Sequence, residues 1–126
     1  MPLITINLQK GTTEQQRRAI SDGIHAAMIE VLKIPEDDQF HVFNELDQAN
    51  MIYQPVAFGR PRSNRLMFIQ LYFNQRDDET KTQLFSAIVN HLRDRAGLDE
   101  DDIALTSLFH AFAEGVGVNE AKVPVL

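Results

Sequence analysis

Alternation of apolar and polar positions marks the start of the chain. Ile4, Ile6 and Leu8 fall on one side of the run Leu3–Leu8, with Thr5 and Asn7 on the other; this is the pattern of a strand with one covered face. Gly11 breaks the alternation. Thr13, followed three residues later by Gln16, resembles a capping box. Ile20, Ile24, Ala27, Met28, Val31 and Leu32 then recur at helical spacing and predict one buried stripe. Pro35 closes that segment, and Phe40–Phe43 begins a second strand. The first third of the chain therefore reads β-α-β.

The same unit is then written again. Leu66–Phe73 (LMFIQLYF) is apolar enough for a central strand. Asp77 or Asp78 can cap a second helix, whose stripe is Leu84, Phe85, Ile88, Val89 and Leu92. Gly97 supplies a left-handed cap, and Ile103–Phe109 is the returning strand. Ile24 falls on Ile88, Met28 on Leu92 and Ile34 on Leu98 at an offset of 64, whereas the opening strands match at 63, Leu3 on Leu66 and Leu8 on Leu71. The acidic runs after the helices also coincide, with Asp38 falling on Asp102. Such a duplication predicts an α/β protein of the two-layer, α+β-like kind: a four-stranded sheet with both helices on one face. One domain is expected over 1–126, with repeat one at about 2–46, repeat two at about 66–110 and a C-terminal arm at 111–126. Asp47–Arg65 is a long connection rich in turn residues (Pro55, Gly59, Pro61), and the segment Gly115–Leu126 has room for a hairpin or an arm reaching a neighbouring subunit.

Composition narrows the function classes. The 126 residues carry a formal charge of -6, which lacks the basic footprint of a general nucleic-acid binder. Absence of cysteine removes disulfide and thiolate chemistry and fits a reducing cytoplasm. No apolar run approaches the ~20 residues of a membrane span, and the start does not read as a secretory signal. A cytoplasmic protein without nucleic-acid or membrane partners is expected. His25, His41, His91 and His110 show no metal-ligand spacing. There is no phosphate loop, nucleophile elbow or dinucleotide fingerprint, so neither metal nor cofactor is expected.

The residue that carries chemistry is Pro2, directly behind Met1. Inside a chain, proline has neither N–H nor basic nitrogen. At a chain start, after methionine removal, it becomes a secondary amine, and a free α-amino group titrates near ~7.7–8.0. An apolar cleft beside a cation lowers that value and leaves a base suited to proton abstraction next to a carbonyl. Arg76 belongs to the same picture: it falls on Thr12 of the first repeat, where strand hands over to helix, and such strand ends line ligand crevices.

An N-terminal proline on a strand, a duplicated β-α-β unit and an arginine just past the equivalent strand resemble the tautomerase superfamily. Within it the chain is most similar to the malonate semialdehyde decarboxylase group. The shared features are MPLI at the start, a helix carrying His25, the run I-P-E-D-D (Ile34–Asp38), and R-S-N-R-L (Arg62–Leu66) ahead of the third strand. The resemblance extends to about Phe109. It implies a cofactor-free tautomerase or isomerase of a small keto or unsaturated carboxylate, a homotrimer, with Pro2 as the general base, Asp38 as an acid–base partner and Arg76 as the anchor of a substrate carboxylate. Three protomers would also bury long apolar strands that one small sheet leaves open. The chain departs from the group at Asn74, where a first arginine is expected, at Thr12, and in having no tryptophan.

Two other functions fit the same residues. One is a decarboxylase or hydratase with a cationic Pro2 acting as acid and Asp38 activating water; the other is a non-catalytic binder of small acids. Each candidate also has a plain structural reading. Arg76 can be a surface cation offset by Asp77 and Asp78, Asp38 part of a solvated acidic turn, and Asn74 a turn residue rather than a hydrogen-bond donor to a carbonyl or enolate. His25 reads as a boundary residue of its helix. Arg60, Arg62 and Arg65 form a basic loop that is either solvated or attracts anions. Phe40, Tyr53, Phe58 and Phe73 are candidate pocket walls, and Phe112 reads as interface packing.

Overall fold

Both helices begin where their capping residues put them. The computed structural model describes residues 2–109. Helix α1 (Glu14–Leu32) is capped by Thr13, whose hydroxyl accepts the Gln16 N–H at 3.0 Å. Helix α2 (Asp78–Ala96) is capped by Asp77, which accepts from the Thr80 N–H at 2.7 Å. Only half of the expected capping box forms. The Gln16 amide donates instead to the carbonyl of Ala96 at 2.9 Å, supplying a partner to a carbonyl left over at the end of α2. Each helix closes on a left-handed residue, Lys33 (φ 58°) in α1 and Gly97 (φ 64°) in α2. Glycine takes that conformation without strain and lysine does not.

Strands β1 (Leu3–Gln9), β2 (His41–Leu46), β5 (Met67–Phe73) and β6 (Ile103–Phe109) form one mixed sheet in the order β2-β1-β5-β6. The outer strands run parallel to their inner neighbours, and the central pair β1–β5 is antiparallel. Ile6 pairs directly with Ile69, and these two are also equivalents at the offset of 63. The pseudo-twofold axis relating the repeats therefore passes between them.

Period-two patterning decides which face is covered. Ile4, Ile6, Ile69 and Leu71 are fully buried against Ile20, Ile24 and Met28 of α1 and Leu84, Ile88 and Leu92 of α2. The helices pack closely because of Gly23: a Cβ there would stand 3.2 Å from Leu92 Cδ2. The other face of the sheet has no covering layer among the described residues. At its centre the Thr5 hydroxyl and the Asn7 amide both donate to Gln70 Oε1, at 3.0 and 3.2 Å, and the Asn44 amide donates to Asn7 Oδ1 at 3.0 Å. Val42, Phe68 and Leu108 stand exposed around this polar centre.

The long connection is more ordered than its turn-rich composition suggests. It holds a two-residue hairpin, β3 (Val56–Ala57) against β4 (Arg60–Pro61). Phe58 and Gly59 both lie at positive φ, 51° and 76°, as the tight turn that suits strand twist requires. The C-terminal arm, with His110 and Phe112, lies outside the described residues.

Candidate active site

Antiparallel pairing of the central strands brings the start of β1 and the end of β5 to the same end of the sheet. Pro2 is buried immediately before β1. Leu3 pairs with Tyr72, so Phe73 falls across from Pro2, and Asn74 and Arg76 follow one and three residues past the strand. On the other side, the Ile4 N–H donates to the Phe40 carbonyl at 3.0 Å, which sets the turn containing Asp38 at this end as well. Pro2, Asp38 and the Asn74–Arg76 turn, drawn from three separate stretches of the sequence, thus share one sheet end.

Arg76 is half-buried, and its guanidinium bends back so that Nη1 donates to the carbonyls of Asn74 (3.3 Å) and Gln75 (3.2 Å). Nε and Nη2 have no partner among the described residues, leaving a two-pronged edge of the kind that binds a carboxylate. The neighbouring acids do not offset it. Asp77 is turned to Thr80, whose side chain and N–H hold its carboxyl below the usual range, and Asp78 pairs with Lys81 at 3.1 Å. Asn74 is exposed.

A narrow cleft of about 40 Å³ lies here, lined by Phe73, Asn74, Arg76, Lys81, Ser107 and Leu108. Lys81 is a second cation that sequence reasoning missed. It sits in the first turn of α2, five residues after Arg76, and only the helical return of the chain carries it back to the cleft. Its repeat counterpart is also basic: Arg17, paired with Glu45 at 2.7 Å.

Asp38 is half-buried in a turn closed by its N–H to the Pro35 carbonyl at 3.1 Å. Two histidines brace that turn. His25 Nε2 lies 2.7 Å from the Glu36 carbonyl, to which it donates. His41 Nδ1 lies 2.7 Å from the Ser21 hydroxyl, which also accepts from the Gln39 amide at 3.0 Å. The two rings meet edge to face, with centroids 6.1 Å apart. Burial, and then repulsion from His25, lower the His41 pKa from 6.5 to about 4, with Asp22 pulling weakly the other way.

Asp38 and its repeat counterpart have different partners. Asp102 is buried and accepts both the Ser63 N–H (2.7 Å) and the Ser63 hydroxyl (2.6 Å) from the chain entering β5. The Asp38 carboxylate takes no hydrogen bond among the described residues.

Of the candidate walls, Phe73 lines the cleft. Tyr53 and Phe58 do not: Tyr53 hydrogen-bonds Gln9 and the Ser63 carbonyl at the opposite end of the sheet, and Phe58 stands fully exposed on the hairpin tip. Phe40, partly exposed, does not line this cleft. Arg60 pairs with Asp101 at 3.5 Å, away from Pro2. Among the described residues, no three His, Asp or Glu side chains gather as a metal site, and no helix is long and apolar enough to cross a membrane.

A duplicated β-α-β sheet with a buried proline at its first strand and an arginine past its third defines a tautomerase-type protein. Two models of the tautomerase enzyme family match the chain, over residues 2–60 and 38–114. The probable tautomerase YusQ of Bacillus subtilis (strain 168) is 30% identical over 104 residues, covering 82% of each chain. FG41 malonate semialdehyde decarboxylase, solved with the inhibitor 3-bromopropiolate, is 30% identical with a TM-score of 0.83, covering 97% of this chain and 99% of that one. A fused 4-OT symmetric trimer shares the fold at a TM-score of 0.70 and 20% identity, covering 96% of this chain and 97% of that one. The chain belongs to the tautomerase family.

Proposed function

We propose that the mature chain is a cofactor-independent isomerase of a small keto or unsaturated carboxylate, with the Pro2 nitrogen as general base. The observation that carries this reading is the burial of Pro2 at the one sheet end that also holds Asp38, Asn74 and Arg76. Burial disfavours the charged amine, and Arg76 and Lys81 in the adjoining cleft act in the same direction. Arg76 binds the substrate carboxylate through Nε and Nη2. The neutral Pro2 nitrogen removes a proton from the carbon next to the carbonyl, and the C–H electron pair moves into the carbonyl to form an enol or enolate. Asn74 donates to the oxygen where charge develops. The prolinium returns the proton to a different atom, and the amine is regenerated.

A cleft of about 40 Å³ is too small for such a substrate. The uncovered sheet face, with Val42, Phe68 and Leu108 exposed, suits assembly as a homotrimer, as in the fused 4-OT relative, and a neighbouring protomer would complete the pocket. Without cysteine, the protein suits the cytoplasm.

A second reading, decarboxylation or hydration of a three-carbon acid, is favoured by Asp38. Its carboxylate, which takes no hydrogen bond among the described residues, stands at the Pro2 end in the position from which Asp102 grips the chain at the opposite end, a geometry suited to holding water beside Pro2. The two readings differ in Pro2, which is a base in one and an acid in the other.

Deuterium exchange at C3 of 2-oxobutanoate, followed by NMR, tests the first. The mature protein should catalyse exchange and the folded Pro2→Ala variant should not. Exchange at the wild-type rate in Pro2→Ala would refute the assignment.

A further inference from the structure

A cavity that reaches the core lies at the end of the sheet away from Pro2. It measures about 360 Å³ and, under the repeat, lies at the sheet end equivalent to the one that holds Pro2 and Arg76. Its floor reaches the core at Ile20, Met67 and Leu98, and its rim carries Lys10, Asn64 and Arg65. At the strand offset of 63, Arg65 stands where Pro2 stands in the first repeat, and at the helix offset of 64 Thr12 takes the place of Arg76. Gly11, at φ 117°, turns the chain around the opening with no side chain to fill it.

The electrostatics of this cavity are one-sided. No Asp or Glu lines it, although the chain as a whole carries a charge of -6. Lys10 is paired with Asp47 at 3.0 Å outside the cavity, whereas the Arg65 guanidinium has no ion pair or hydrogen bond among the described residues. An unpaired guanidinium over an apolar floor suits a carboxylate head with a short hydrocarbon tail, and the volume lies within the usual range for ligand pockets. No amine stands at the Arg65 position, because the chain continues through it as an ordinary peptide.

We propose that this cavity is a second, non-catalytic binding site for small apolar monocarboxylates, with Arg65 as the carboxylate anchor. It goes beyond the reading of Pro2 and does not depend on it.

The test is a hexanoate titration of the full-length protein, read by amide chemical shifts. Amides of Lys10–Thr13 and Asn64–Met67 should shift along one saturable curve. Arg65→Gln should weaken that binding about tenfold or more, the loss expected for a charged hydrogen bond, while Arg76→Gln leaves it unchanged. Arg65 is exposed and its guanidinium makes no hydrogen bond or ion pair among the described residues, so the variant should fold. Absence of saturable shifts in these amides, or equal affinity in wild type and Arg65→Gln, would overturn the proposal. Shifts at Asn74–Asp77 that vanish in Arg76→Gln report separately on the Pro2 end, so failure at one site is distinguishable from failure at the other.

Discussion

Lowering the pH from 7 to 5 should destabilise the protein through His41. The ring is packed between β2 and α1, beside Ser21 and His25, and its pKa falls from 6.5 to about 4 on folding. Below pH 6.5 the unfolded chain protonates this imidazole while the folded chain keeps it neutral. The unfolded state then binds more protons, so stability is full above pH 6.5, declines between 6.5 and 4, and levels off below. Between pH 7 and 5 these two values correspond to a loss of about 2 kcal/mol. A half-buried ring screened by water keeps about 1–2 kcal/mol of it. The assay is urea unfolding at fixed protein concentration, because assembly makes stability concentration-dependent. The quantity of interest is the difference between wild type and His41→Asn, which isolates this ring from every other source of pH dependence. The variant should lose about 1–2 kcal/mol less than wild type over this range. Equal losses in the two proteins would refute the reasoning.

Other contacts give sharper local outcomes. Asp102→Ala should cost about 1–2 kcal/mol in the same unfolding assay, because the buried carboxylate accepts both the Ser63 N–H and its hydroxyl; a loss below about 0.5 kcal/mol would contradict that role. Lys33→Gly should stabilise by about 1 kcal/mol, since it relieves a left-handed lysine where the second repeat already has Gly97. Arg76→Ala should lower kcat/KM for carboxylate substrates by about 10–100-fold, mostly through KM; Lys81→Met should have a smaller effect in the same direction. An unchanged KM in Arg76→Ala would move the anchor elsewhere.

Much of this architecture was legible because both repeats use simple periodicities. Alternation in Leu3–Leu8 and the stripe from Ile20 to Leu32 each specify a face, and the 19-residue helices fall at the same offset as their caps. Pro2 and Arg76 stood out for a similar reason: one is chemically special only at a chain start, the other marks a strand-to-helix handover. Lys81 did not, since its approach to the cleft depends on the direction in which α2 sets off. Tyr53 and Phe58 were misplaced because the path of the 47–65 connection is set by tertiary contacts such as Ser63 to Asp102, which leave no periodic trace. The hairpin at Phe58-Gly59 lacked the Asn-Gly or Asp-Gly pair that signals such a turn. The contrast between Asp38 and Asp102, each the last residue of a Glu-Asp-Asp run, emerges only from what each carboxylate meets in space.

The most direct test of the account is the pKa of the Pro2 nitrogen, measured by ¹⁵N NMR on protein shown to lack Met1. A neutral general base requires a value below the ~7.7–8.0 of an ordinary α-amine. A value at or above that range would contradict the isomerase reading and place Pro2 as the acid of a decarboxylase or hydratase.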